Sequence, residues 1–257
     1  MLEDIVVAIK KWRFIHIMGI LSIRGRYARS RLGQLWMTLS MFLLIFSTGI
    51  VWSLIWHQPI EQYLPYIAAG HVFYLFISAT ISDSTGILIA DSRLYINESM
   101  PRAVSIFIHI YKNIIILLHN LPIVIGVVLW SSMSHFQLTM SIIPSFVLTM
   151  IFLYCSSYIV AIICTRFRDL IQLVTSLMQI AFLVTPVMWN INMLPKQVHF
   201  YVLLNPFASC LELLRNPFIG LPVDSLAYPI LLGWTIFTAI FAFILHSWME
   251  KEIIFWI

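Results

Sequence analysis

Long apolar stretches separated by short polar ones dominate the chain. They run over residues 35–56, 63–90, 103–130, 138–164, 170–189 and 226–248. A membrane span takes about 20 apolar residues, so each stretch is long enough, and the second to fourth have length to spare for tilt or protrusion. With no water in the lipid core, each must be helical to satisfy its own backbone. The pattern predicts an all-α integral membrane protein with six transmembrane helices.

Ahead of the first stretch, Leu2, Ile5, Val6, Ile9 and Trp12 recur at helical spacing, with Glu3, Asp4, Lys10, Lys11 and Arg13 between them. That is the pattern of an amphipathic helix lying in the membrane interface, apolar side down. A docked soluble helix carries the same pattern. The cations interrupt the apolar run and no small-residue cleavage site follows, which argues against a cleavable signal peptide.

Composition sharpens the class. Of 257 residues, 61% are hydrophobic and 10% charged, against about 45–50% and about 25% in soluble domains. Soluble, disordered, coiled-coil and disulfide-stapled secreted folds are excluded, and the length accommodates one membrane domain over 1–257. Cys155, Cys164 and Cys210 lack metal-ligand spacing and read as small hydrophobes.

Charge supplies the topology. With the N-terminus in the cytoplasm, twelve of the fifteen lysines and arginines fall inside, Lys196 and Arg215 fall outside, and Lys112 lies within the third span. This places both termini in the cytoplasm. The net charge of +4 is therefore a topology signal. A nucleic-acid partner would require a basic face, and these charges are strung along one membrane plane instead.

Three connections carry more than a turn. The cytoplasmic interfacial segment 1–33 holds Arg24, Arg26, Arg29 and Arg31 just before the first span. Anchoring to anionic lipid explains them. So does a basic vestibule, because the planar fork of arginine matches phosphate oxygens. In the loop 91–102, Asp91 or Ser92 is placed to cap a short helix carrying Leu94, Tyr95 and Ile96, closed before Pro101 and Arg102. Such a helix below the membrane is a handle for a soluble motor, although a plain turn also fits.

The external segment 190–225 is too long for a structureless loop. Asn205-Pro206 is an N-cap followed by proline at the first helical position. Phe207, Leu211, Leu214 and Phe218 then recur, with Glu212 and Arg215 between them. An amphipathic re-entrant or surface helix is expected there, either gating the outer mouth of a pathway or packing over the bundle.

The chain contains no G-x-x-x-x-G-K-[ST], no H-E-x-x-H and no G-x-S-x-G, so neither P-loop nucleotide binding nor those hydrolytic chemistries are expected of it. Apart from histidines, Asp83 and Lys112 are the acid and base deep within spans. They fall at similar depth on sequential antiparallel helices, which allows an ion pair or two separately solvated groups. Phe42 with Phe46, and Phe73 with Tyr74, form aromatic rows that serve packing or offer ring faces to sugars.

Together these residues resemble a known family. Arg26-Tyr27, Ser30, Leu32-Gly33 and Leu35-Trp36 are similar to the start of polysaccharide-exporting ABC-2 type permeases, most like those of O-antigen export. Gly70, Pro101, His119-Asn120, Arg166-Phe167-Arg168-Asp169-Leu170, Thr185-Pro186-Val187 with Trp189, Asn205-Pro206-Phe207, and Arg215 with Gly220 extend the likeness along nearly the whole chain. The sequence departs from the pattern at Met37-Thr38-Leu39-Ser40, where many relatives carry a proline.

The resemblance implies a half-transporter of the bacterial inner membrane, working as a homodimer on two copies of a cytoplasmic ABC ATPase. No cofactor is expected on this chain; ATP–Mg would be bound by the partner. The implied substrate is O-antigen polysaccharide on undecaprenyl pyrophosphate, moved from cytoplasm to periplasm, with 91–102 as the coupling loop and 190–225 as the outer gate. Export of capsular or teichoic-acid polysaccharide is the nearest alternative. An integral-membrane glycosyl- or acyltransferase would show clustered catalytic residues, and a stand-alone channel would need no motor.

Overall fold

The computed structural model describes residues 1–257 except 28–29, 97–99, 132–138, 250–252, 254–255 and 257, with the backbone alone at Leu2, Arg26, Tyr27 and Ile96. The described residues form helices and no strand. In chain order these are α1 (Leu2–Lys10), α2 (Trp12–Tyr27), α3 (Leu35–Ile55), α4 (Ile60–Ser84), α5 (Ile87–Ala90), α6 (Ser92–Ile96), α7 (Arg102–Trp130) and α8 (Ile142–Arg166). α9 (Leu170–Val184), α10 (Lys196–Leu203), α11 (Pro206–Ile219) and α12 (Ala227–Met249) follow.

Five of these, α3, α4, α7, α8 and α12, are long and apolar enough to cross a membrane. The predicted span 170–189 is helical only through Val184. Thr185 is extended (φ −81°, ψ 138°), as expected of a residue before proline. α9 therefore has 15 residues, about 22 Å of helix against about 30 Å of hydrocarbon. The predicted span 63–90 also divides: α4 ends at Ser84, and α5 starts at Ile87. Ser84 and Thr85 donate their hydroxyls back to the carbonyls of Ile81 and Ser82, and such local bonds compete with helix continuation.

α4 is the axis of the bundle, buried continuously from Tyr63 to Tyr74. α3, α7, α8, α9 and α11 pack around it, and α12 closes the outside against α8 and α11. α3 begins at Leu35 and runs straight through Met37-Thr38-Leu39-Ser40. The N-terminal amphipathic segment forms two helices rather than one, broken at Lys11, and both lie on α7. Ala8 and Ile15 face the bundle, while Val6, Ile9 and Trp12 remain exposed. The helix is thus docked and still offers an apolar side to lipid.

The segment 190–225 folds into a 3-10 turn at Ile191–Met193 followed by α10 and α11. α11 is no surface helix. Every residue from Ala208 to Ile219 is buried, because α4, α8 and α12 surround it. It is an interior element of the bundle.

Candidate translocation face and outer clamp

One side of the bundle presents polar groups on apolar helices. On α9, Gln172, Thr175, Ser176 and Gln179 share a face by their spacing of three and four residues. Gln172 and Gln179 are exposed. On α4, Ser78 and Ser82 border the same groove, a cavity of about 420 Å³ that also touches His71, Tyr74 and Phe182. Gln179 lies about 14 Å along α9 from its first residue. Amides at such a position are costly against lipid and ordinarily face a bundle interior or water. This stripe escaped the sequence reading, although its helical spacing within an apolar stretch was a usable signal.

The predicted aromatic rows separate. Tyr74 borders the groove, donates its hydroxyl to the Met178 carbonyl at 2.6 Å and meets Phe182 edge-on at 5.2 Å. Phe73 turns instead into the core, edge-on to Phe218 at 5.4 Å. Phe42 and Phe46 lie with ring centroids 4.3 Å apart, tilted by 37°, and face a different cavity, of about 360 Å³, shared with Pro122, Val127 and Trp130 of α7. No continuous row joins all four.

One end of the groove is held by a buried clamp. Asn205 caps α11 by accepting the Phe207 amide at 3.0 Å and donates to Thr185 Oγ1 at 3.1 Å. Pro206 fills the first helical position and Gly220 ends the helix in the left-handed region at φ 75°, which only glycine takes without strain. Leu211 and Phe207 pack in the core between these ends.

Arg215, 1% exposed, is the hub. It donates Nη1 to the Pro186 carbonyl at 2.6 Å, Nε to Asn216 Oδ1 at 3.2 Å and Nη2 to Glu212 Oε2 at 3.4 Å. Its guanidinium lies 3.9 Å from the Tyr66 ring centroid. Asn216 in turn donates to Glu212 Oε1 at 2.6 Å and to the Pro222 carbonyl at 2.8 Å. Tyr66 donates to the Trp189 carbonyl at 3.1 Å, and Tyr63 to that of Met188. Gly70 makes the arrangement possible: a Cβ there would stand 2.6 Å from the Val187 carbonyl oxygen. A buried charge is tolerated only when paired and hydrogen-bonded, and this one is both. The sequence reading picked out Arg215 and Glu212 but not Tyr63, Tyr66 or the carbonyls they hold.

Away from the clamp, Lys112 Nζ lies 2.6 Å from Asp83 Oδ2. In the loop 91–102, the short helix α6 is present, but Asp91 turns its carboxyl toward Ser105 of α7, and burial pushes that carboxyl above the ordinary aspartate range. The Tyr95 hydroxyl donates to Ser105 Oγ at 2.5 Å. Leu94 packs on the cluster of Ala103, Val104 and Ile108, so α6 is fastened to the start of α7 at Arg102. The side chain of Ile96 lies outside the described residues. In the basic segment, Arg24 and Arg31 are exposed, whereas Arg29 and the Arg26 side chain lie outside the described residues.

Comparisons with known proteins follow the same lines as this geometry. Residues 15–219 match the family described as ABC-2 type transporter. Two proteins of Klebsiella pneumoniae, both named O-antigen export system permease protein RfbA, are similar to the chain. One is 22% identical over 199 residues, 77% of either chain. The other is 22% identical over 211 residues, 80% of this chain and 82% of its own. With five membrane-crossing helices and a family match over most of its length, the chain belongs to the ABC-2 type transporters, as a multi-pass membrane subunit.

Proposed function

We propose that the chain is the permease of an exporter that passes O-antigen polysaccharide, carried on undecaprenyl pyrophosphate, from the cytoplasm to the periplasm across the bacterial inner membrane. It works as a homodimer with two copies of a cytoplasmic ABC ATPase, which bind ATP–Mg, and both of its termini lie in the cytoplasm. α9 completes the set of six crossings with α10 and α11 covering its outer end.

The observation that carries this reading is the polar stripe of α4 and α9. A single protomer would turn Gln172 and Gln179 to lipid. Two copies facing each other across that stripe would instead enclose a wet path bordered by hydroxyls, amides and the Tyr74 ring, a lining suited to weak, sliding contacts with sugars. The names of the two relatives support the cargo.

The test is a deletion strain complemented with the wild-type chain. Without the chain, the lipopolysaccharide O-chain ladder is expected to be lost and lipid-linked glycan to accumulate in the cytoplasm; complementation is expected to restore the ladder, with a P-loop ATPase co-purifying with the complementing chain. A normal ladder with capsule lost instead moves the cargo to capsular polysaccharide. A normal ladder with no associated ATPase rejects the exporter. A Gln179→Cys variant should form cross-links between copies in membranes.

A further inference from the structure

A second large crevice lies apart from the groove, between the N-terminal helices and the bundle. Its volume is about 780 Å³ and its lining is almost wholly apolar, with Ile9 and Trp12 on one side and Tyr111, Ile114, Met150 and Phe243 on the other. Ile114 stands about 18 Å above the start of α7 and Met150 about 24 Å from the end of α8. One leaflet of hydrocarbon is about 15 Å deep, half of a core of about 30 Å. The crevice therefore spans the cytoplasmic leaflet and reaches a little beyond it.

Two cations flank its lining residues Ile9 and Trp12 in the chain. Arg13 sits with its guanidinium 5.8 Å from the Trp12 ring, and Lys10 is exposed one turn before it. His16, joined to the Tyr111 hydroxyl at 2.5 Å, also borders the opening. The acids of α1, Glu3 and Asp4, lie at its far end, about 10 Å from Lys10 along the helix. Asp4 is directed toward His246, at 4.0 Å.

We propose that this crevice binds an anionic glycerophospholipid of the cytoplasmic leaflet. Its acyl chains fill the space between α1, α7, α8 and α12, and its phosphate meets Arg13 and Lys10. An apolar cavity one leaflet deep, flanked on the N-terminal helices by the exposed Lys10 and Arg13, is complementary to a headgroup phosphate on chains of that length. The bound lipid joins the interfacial helices to the bundle. The site does not depend on the transported cargo and stands or falls separately from the export reading.

The experiment uses the full chain, purified in detergent and stripped of lipid. Phosphatidylglycerol and phosphatidylcholine with identical acyl chains, and undecaprenyl phosphate, are added in turn. Retention is read by native mass spectrometry and the thermal midpoint by unfolding. Phosphatidylglycerol is expected to be retained at least tenfold better than phosphatidylcholine and to raise the midpoint by about 5 °C. Lys10→Gln with Arg13→Gln should abolish the preference while leaving residual retention of both lipids, and Ala239→Phe, which fills the crevice, should reduce retention of both. Equal retention of the two phospholipids, a preference that survives the charge variant, or stronger binding of undecaprenyl phosphate than of phosphatidylglycerol would overturn the proposal.

Discussion

Asp83 of α4 and Lys112 of α7 form a direct ion pair, 2.6 Å between Oδ2 and Nζ, with the lysine side chain 9% exposed and the aspartate 30%. A lone aspartate or lysine at the centre of a membrane helix costs about 2.5–3.5 kcal/mol on insertion scales, and each relieves the other. Asp83→Asn and Lys112→Met should each lower the yield of assembled protein and its thermal midpoint. The double variant should recover part of the loss, because neither charge is then stranded. Strictly additive losses in that cycle would show that the two groups act independently.

Arg215 should be far more sensitive to replacement than its place between the apolar helices α9 and α12 suggests. Arg215→Met removes bonds to Pro186, Asn216 and Glu212 and strands the Glu212 carboxylate, a loss of about 3–5 kcal/mol. Arg215→Lys keeps the charge but not the fork or the stack on Tyr66, and should restore less than half. Thermal unfolding in detergent measures both. Wild-type stability in the lysine variant would mean that charge alone holds the clamp.

The spans were legible because apolar length is a property of composition over about 20 residues, and lipid enforces the helix whatever its partners are. Their ends were legible where a local rule acts, as at Pro206 and Gly220. Thr185-Pro186 carried the same kind of rule, but the apolar run continued past it to Trp189 and hid the stop. The burial of α11 was not legible. Glu212, Arg215 and Asn216, spaced three and four residues apart, look like a solvated helix face, and their mutual satisfaction depends on Tyr66 and on carbonyls far away in sequence. The groove was missed for a related reason. Phe42, Phe46, Phe73 and Tyr74 are conspicuous in sequence, yet their directions depend on which neighbours each helix acquires.

The short helix α6 supplies the next expectation. Replacing Leu94, Tyr95 and Ile96 by serine removes the packing of Leu94 on Val104 and the bond from Tyr95 to Ser105, and should weaken ATPase pull-down about tenfold while membrane insertion is unchanged. Tyr95→Phe keeps the packing and gives up one hydrogen bond, about 1 kcal/mol, so pull-down should fall only slightly. Undiminished pull-down with the triple serine variant would remove this loop from the coupling.

Arginine-to-lysine exchange separates the two roles of the basic segment. Anchoring to anionic lipid needs charge alone, so lysine at Arg24, Arg26, Arg29 or Arg31 would be silent. Bidentate phosphate recognition does not survive the exchange. At least one of the four is expected to lose export of the O-chain with protein level unchanged. Four silent variants would leave the segment only its topological role.

Two glycines should respond to alanine with opposite signs. A Cβ on Gly70 would stand 2.6 Å from the Val187 carbonyl oxygen, whereas one on Gly126 of α7 would meet nothing within 4 Å. The Val187 backbone cannot retreat cheaply, because Tyr63, Tyr66 and Arg215 fix the carbonyls of Met188, Trp189 and Pro186 on either side of it. Gly70→Ala must therefore displace either α4 or the clamp, a cost of about 1–3 kcal/mol, as for an overpacked core. Gly126→Ala meets open space beside Phe42 and Phe46 and should be neutral or stabilising by up to about 1 kcal/mol through helix propensity. The two thermal midpoints, measured in the same detergent, give the comparison. A Gly70→Ala midpoint equal to wild type would show that the extended segment after α9 is free to move away from α4, and would remove the close backbone approach as the reason for glycine at that position.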